Sequence, residues 1–190
     1  MARDQKSRNG KTDVTQLLKF EHEEVEALFH EFEDLDEPGE RQQLASHICD
    51  MLEIHAQLEE ELVYPVAREM LDDEDLVLEA EVEHRVAKDL VTRIRSMAAD
   101  DPTYGAYVKV LGEYVTHHVD EEERELLPRL KSSDADTAAL GQELLQRKRE
   151  LQRQRGIESV ADEDLVEQAR GAAAATDVTE AQRRGPSSHR

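Results

Sequence analysis

His55-Ala56-Gln57-Leu58-Glu59-Glu60-Glu61-Leu62-Val63-Tyr64-Pro65 decides the reading of this chain, because a second copy follows as His118-Val119-Asp120-Glu121-Glu122-Glu123-Arg124-Glu125-Leu126-Leu127-Pro128. Both copies carry His-x-x-x-Glu, and both place a proline ten residues after the histidine. Residues i and i+4 of an α-helix differ by only roughly 40° around its axis, so each histidine and its glutamate converge on one point. His55 follows Met51 by four residues and Ile48 by seven, and His118 follows Tyr114 by four and Leu111 by seven. Each pair therefore lies on the apolar stripe of an amphipathic helix. Upstream of each copy stands one more histidine on such a stripe: His22, four after Leu18 and three before Val25, and His84, four after Ala80 and three before Ala87. His84 lies 62 residues after His22 and His118 lies 63 after His55, so the chain repeats a helix pair.

The surrounding pattern is helical throughout. Glycine (8), proline (5) and aromatics (4%) are scarce, there is no Trp, and charged residues are abundant, which suits helices rather than a sandwich or barrel. Val14, Leu17, Leu18, Val25, Leu28, Phe29 and Phe32 predict a first helix from a cap at Thr12 or Asp13 to about Leu35. Asp36-Glu37-Pro38-Gly39 reads as a turn, and a second helix is expected from about Glu40 to Met70. A third starts at Asp72-Asp73-Glu74 and is broken by Asp100-Asp101-Pro102, and a fourth spans about Thr103 to Lys131. Short connections between long helices require antiparallel neighbours. The expected fold is all-α: an up-down-up-down antiparallel four-helix bundle over residues 13–154. A fifth C-terminal helix, about Asp134 to Gln154, packs on its outside. Residues 1–12 and 155–190 are expected to be polar, disordered tails, with one weak helix at 158–170.

The repeat brings four histidines, Glu59 and Glu122 to one level of the bundle core. An ionised carboxylate there is very costly without a partner. No lysine or arginine shares those stripes at that level, and a metal cation supplies the missing charge. Two halves with three ligands each suit two metal ions and exceed what one tetrahedral zinc needs. The repeat also selects His118 over the adjacent His117, because only His118 has its proline ten residues on. Glu60, Glu61, Glu121 and Glu123 fall off the stripe and read as a solvated face; His30, His47 and His189 read as surface residues.

The order H…HxxxE…H…HxxxE resembles the hemerythrin-like, or HHE cation-binding, family, over roughly residues 13–153. The resemblance implies a non-haem di-iron centre, its two iron ions bridged by the two glutamates and an oxo or hydroxo ligand. Carried over by motif, His22, His55, Glu59, His84, His118 and Glu122 would be the metal ligands. The oxygen-carrying members of that family have a further histidine one turn away on the third helix, where this chain has Ala80 and Lys88. Water, Tyr114 or Tyr107 is then left to fill the position.

The implied function is reaction with, or sensing of, a small ligand such as dioxygen, hydrogen peroxide or nitric oxide. The alternative is an iron-responsive regulatory or iron-handling module whose output is a contact with a protein partner. A ferritin-like oxidase needs Glu-x-x-His on two helices, and only Glu81-Val82-Glu83-His84 matches. The net charge of -21 argues against nucleic acid, and no run of residues approaches a membrane span. Cys49 is alone, which excludes an intrachain disulfide and cysteine-based metal sites. The N-terminus lacks the apolar stretch of a secretory signal, so a cytoplasmic location is expected.

Overall fold

The computed structural model describes residues 13–157. The expectations for residues 1–12, the possible helix at 158–170 and His189 lie outside them. Within this span α1 (Val14–Asp34), α2 (Pro38–Leu58), α3 (Tyr64–Met70), α4 (Glu74–Arg95), α5 (Tyr104–Glu121), α6 (Leu127–Ser132) and α7 (Thr137–Arg155) follow one another. A π-helical turn, Glu59–Val63, joins α2 to α3 as one rod, and a second, Glu122–Leu126, joins α5 to α6. The four rods of the bundle are thus α1, α2–α3, α4 and α5–α6, and neighbours in the chain pack together as α1 on α2 and α4 on α5.

The ends follow from local chemistry. Asp13 caps α1 by accepting from the Thr15 backbone N–H, Asp73 caps α4 through Leu76, and Asp136 caps α7 through Ala139. The second helix begins at Pro38, two residues before the expected start. A proline in the first helical turn lacks only an N–H that has no intrahelical partner, so Pro38-Gly39 opens the helix instead of preceding it. The fifth helix likewise starts at Thr137, after its cap, rather than at Asp134. Gly156 ends it with φ 70°, a left-handed conformation that costs glycine little.

Both π-turns sit where Pro65 and Pro128 follow the motif. Proline has no N–H to continue the ladder, and its ring clashes with the carbonyl four residues back. Widening the turn accommodates the ring: the Tyr64 N–H donates to the Glu59 carbonyl and the Leu127 N–H to that of Glu122, each an i to i+5 bond.

The core consists of two apolar clusters. The first gathers Leu17, Leu18, Leu58, Val63, Leu126, Leu130 and the α7 residues Leu140, Leu144 and Leu151. The second gathers Val25, Ile48, Val91, Ile94, Val108, Leu111 and Val115. Each motif histidine falls between members of the two, as His22 does between Leu18 and Val25. A polar layer consequently divides the core.

Candidate metal centre

All six residues singled out from the motif meet in that layer. His22, Glu59, His84, His118 and Glu122 are buried, and His55 is nearly so. The imidazoles face one another in pairs, with His22 Nε2 3.2 Å from His55 Nε2 and His84 Nε2 3.1 Å from His118 Nε2. The carboxylates span the pairs. Glu59 Oε2 lies 3.2 Å from His55 Nε2 and 3.3 Å from His84 Nε2, and Glu122 Oε2 lies 3.6 Å from His22 Nε2 and 3.7 Å from His118 Nε2. Two groups with metal-binding geometry result, His22–His55–Glu59–Glu122 and Glu59–His84–His118, sharing Glu59. Both carboxylate oxygens of Glu59 and Oε2 of Glu122 are buried without a hydrogen-bond donor.

Each of these four histidines has its outer nitrogen held by a carboxylate from a neighbouring helix. His55 Nδ1 meets Glu21 at 2.8 Å, His118 Nδ1 meets Glu83 at 2.7 Å, His22 Nδ1 meets Glu123 at 3.0 Å and His84 Nδ1 meets Glu60 at 3.2 Å. These bonds place the proton on Nδ1 and turn each Nε2 inward, as outer partners of metal-binding histidines do. Three of the four carboxylates are backed in turn by a lysine: Glu21 by Lys148 at 2.9 Å, Glu123 by Lys19 at 3.0 Å and Glu60 by Lys88 at 2.6 Å. Glu60 and Glu123 are therefore not a solvated face. Helical periodicity points them off the stripe, yet each is long enough to reach the next helix.

The tyrosine in contact with the site is Tyr64. It is fully buried, its Oη donates to Glu122 Oε1 at 2.9 Å, and it lies 3.2 Å from His84 Nε2. Tyr114 lines a neighbouring cavity, and Tyr107 packs under Arg93. The repeat puts Leu127 at the place corresponding to Tyr64, so the two halves differ. Burial, reinforced by the charges of Glu122 and Glu59, holds the Tyr64 hydroxyl well above its ordinary range and hence protonated.

Burial works against charge on Glu59, but His55 and His84 outweigh it and keep that carboxyl well below the usual range. Glu122 moves up, because burial and the adjacent Glu59 both oppose a second negative charge. For His84, the carboxylates of Glu59, Glu60 and Glu122 overcome burial and raise the ring to about 9. Glu21 is brought down to about 2 as Lys148 and His55 prevail over burial. Paired Nε2 lone pairs and donorless carboxylate oxygens at one point form a mixed nitrogen–oxygen donor set suited to cations such as iron or zinc. His117, by contrast, is 63% exposed and stands 3.8 Å from both Glu83 and Glu121.

A cavity of about 180 Å³ borders all four ligand-like histidines but not Glu59, Glu122 or Tyr64. It occupies the side of the layer facing the second apolar cluster, with Val25, Val91 and Val115 in its walls. Carboxylates and tyrosine approach the site from one side, and open space from the other.

The profile of the hemerythrin HHE cation binding domain matches residues 13–130. The crystal structure of a hemerythrin HHE cation binding domain-containing protein from Mycobacterium kansasii superposes with a TM-score of 0.63 at 25% identity, covering 74% of this chain and 87% of that one. A Nostoc protein described as a DNA nickase is 26% identical over 121 residues, which are 64% of this chain. This chain spans only about a third of that relative (34%), and the nicking activity in its name belongs to that protein.

Proposed function

The chain belongs to the hemerythrin HHE cation-binding family, and we propose that it is a non-haem di-iron protein that reacts with, or senses, dioxygen, hydrogen peroxide or nitric oxide. The observation that carries this reading is the group of donorless buried oxygens on Glu59 and Glu122 beside two facing pairs of imidazole nitrogens. Each orphaned oxygen costs roughly 1–3 kcal/mol, more when charged, unless a cation satisfies it. His22 and His55 would hold one iron, His84 and His118 the other, with Glu59 and Glu122 spanning both. Bound there, the irons would supply electrons and open positions for a small ligand.

The protein's own residues prepare that chemistry. Glu21, Glu60, Glu83 and Glu123 fix the rings so that Nε2 faces inward. Tyr64 keeps its proton on Oη and donates it to Glu122, while Leu127 stands at the corresponding place of the repeat, so the two halves of the site differ in their own residues. The cavity on the opposite side gives a neutral diatomic or peroxide room to approach, with Val25, Val91 and Val115 in its walls. With exposed positions for His30, His47 and His117, the described residues bring no fifth histidine to the site. That favours reaction or sensing over reversible oxygen storage. The net charge of -21 speaks against a polyanionic partner. Among the described residues no helix is long and apolar enough to cross a membrane.

The regulatory alternative draws on one contact. Lys148 of α7 reaches through Glu21 to His55, so metal occupancy is tied to the position of the C-terminal helix. The main reading is tested by anaerobic loading with ferrous iron followed by metal analysis. Two irons per chain are expected, with a near-ultraviolet oxo-bridge absorption after exposure to air. Saturation at one ion, or tight binding of zinc alone, would remove the di-iron reading.

A further inference from the structure

The cavity beside the histidines is far larger than a diatomic ligand requires. One water molecule's share of the liquid is about 30 Å³, whereas an apolar protein cavity of about 150 Å³ accepts benzene. At about 180 Å³ this partly open cavity has room for a guest of that size. Its walls match that size in chemistry: Val25, Leu52, Ala87, Val91, Val115 and Val119 all line it.

The charged residues at its edge favour a neutral guest. Lys148 and Lys88 line the cavity, but the first is bound to Glu21 and the second to Glu60, so neither is free to hold an anion. Four more carboxylates line it: Arg95 takes Asp50, Arg155 takes Glu53, His118 holds Glu83, and the charge of Lys148 partly offsets that of Glu24. Part of the wall comes from α7, through Lys148 and Gln152. That helix lies beyond the residues matched by the family profile, which end at 130, so the shape of this cavity is not set by the matched domain alone.

We propose that the cavity is a binding site for a small, neutral, apolar organic molecule about the size of one aromatic ring, seated against the four histidines. What the guest meets there rests on the metal-centre reading; its binding does not. The guest would then sit beside the four imidazoles that border the cavity, His22, His55, His84 and His118.

Fluorobenzene is a suitable probe, titrated into the full iron-loaded chain and followed by fluorine NMR. Saturable binding of one molecule per chain is expected, with the resonance broadened by the paramagnetic ions. A zinc-loaded chain should bind it equally well without that broadening. Two substitutions at partly buried wall positions, Ala87→Phe and Leu52→Trp, fill the space without removing a candidate ligand. Each should weaken binding at least tenfold while metal content is retained, and if one fails to fold the other decides. No saturation up to the solubility limit, or unchanged affinity in a folded filled variant, overturns the proposal. Saturable binding in a chain that takes up no iron would uphold the cavity and sink the metal centre. Two irons with no saturable binding would do the reverse.

Discussion

Two adjacent histidines on α5 show what a single turn of the backbone decides. Successive helical residues point roughly 100° apart, and the structure turns His118 inward to Glu83 and Glu122 while His117 faces solvent. His118→Ala removes one of two imidazoles from its half and strands two carboxylates in the core. It should lose at least one metal ion and, as with other broken buried pairs, cost about 3–5 kcal/mol. His117→Ala should keep both ions and shift stability by no more than about 0.5 kcal/mol. Metal analysis and thermal unfolding of the two variants check this; metal loss from His117→Ala alone would mean that the helix is rotated by one residue. The six convergent residues were legible in the sequence because they lie on apolar stripes, where a polar side chain is conspicuous. Glu21, Glu60, Glu83 and Glu123 were not, since they sit one residue off the stripe and look solvated. The repeat nevertheless held the signal. Glu21 and Glu83 immediately precede the lone histidines, and Glu60 and Glu123 immediately follow the motif glutamates.

At the scale of the helix, the rods were readable from periodicity and caps, but the two π-turns were not. A reading that assumes 3.6 residues per turn places Tyr64, five residues after Glu59, well away from the core stripe. The i to i+5 bond from Tyr64 N–H to the Glu59 carbonyl returns it to that side, which is why Tyr107 and Tyr114 came forward from the sequence and Tyr64 did not. Pro65 and Pro128 were visible as marks of the repeat; their mechanical effect was not. The contribution of α7 was also half legible. Its leucines announced outside packing, and Leu140, Leu144 and Leu151 do enter the first cluster, but nothing in its pattern marked Lys148 as a neighbour of the site. Lys148 and Glu21 form a pair with side chains 13% and 8% exposed, and Glu21 then holds His55. Outer partners of this kind are worth roughly 10–100-fold in metal affinity. Lys148→Met should therefore weaken one of the two ions by about that factor, with Lys148→Arg restoring much of it. Competition with a chelator reads the two ions separately. Equal retention of both ions in Lys148→Met would detach α7 from the site.

Over the whole molecule, the polar layer trades stability of the empty fold for affinity toward cations. Without metal, the layer holds two carboxylates in an apolar bundle, and protons on the histidines are the nearest substitute for metal charge. His84 illustrates the balance, since its ring is raised from an ordinary 6.5 to about 9. A group whose folded value is raised stabilises the fold fully below its unfolded value and loses that contribution as pH rises through the folded one. For His84 the loss runs from pH 6.5 to about 9. A cation needs the same nitrogen free of its proton, so metal affinity moves in the opposite direction and strengthens over this window. Redox-silent Zn²⁺ isolates the effect. At a free concentration 100 times its Kd, a ligand specific for the folded state adds about 2.7 kcal/mol. For a domain of this size that is a rise in Tm of roughly 5–10 °C. At a fixed free Zn²⁺ concentration the rise should grow between pH 6.5 and 8.5, because the folded chain binds its ions more tightly as the ring loses its proton, and loading should release protons throughout. Calorimetric scans with and without Zn²⁺ at several pH values, and titrations in buffers of different ionisation enthalpy, measure both quantities. A gain in Tm that is flat or falling with pH, or loading without proton release, would show that the histidines are neutral in the empty protein and that the carboxylates alone set its affinity for cations.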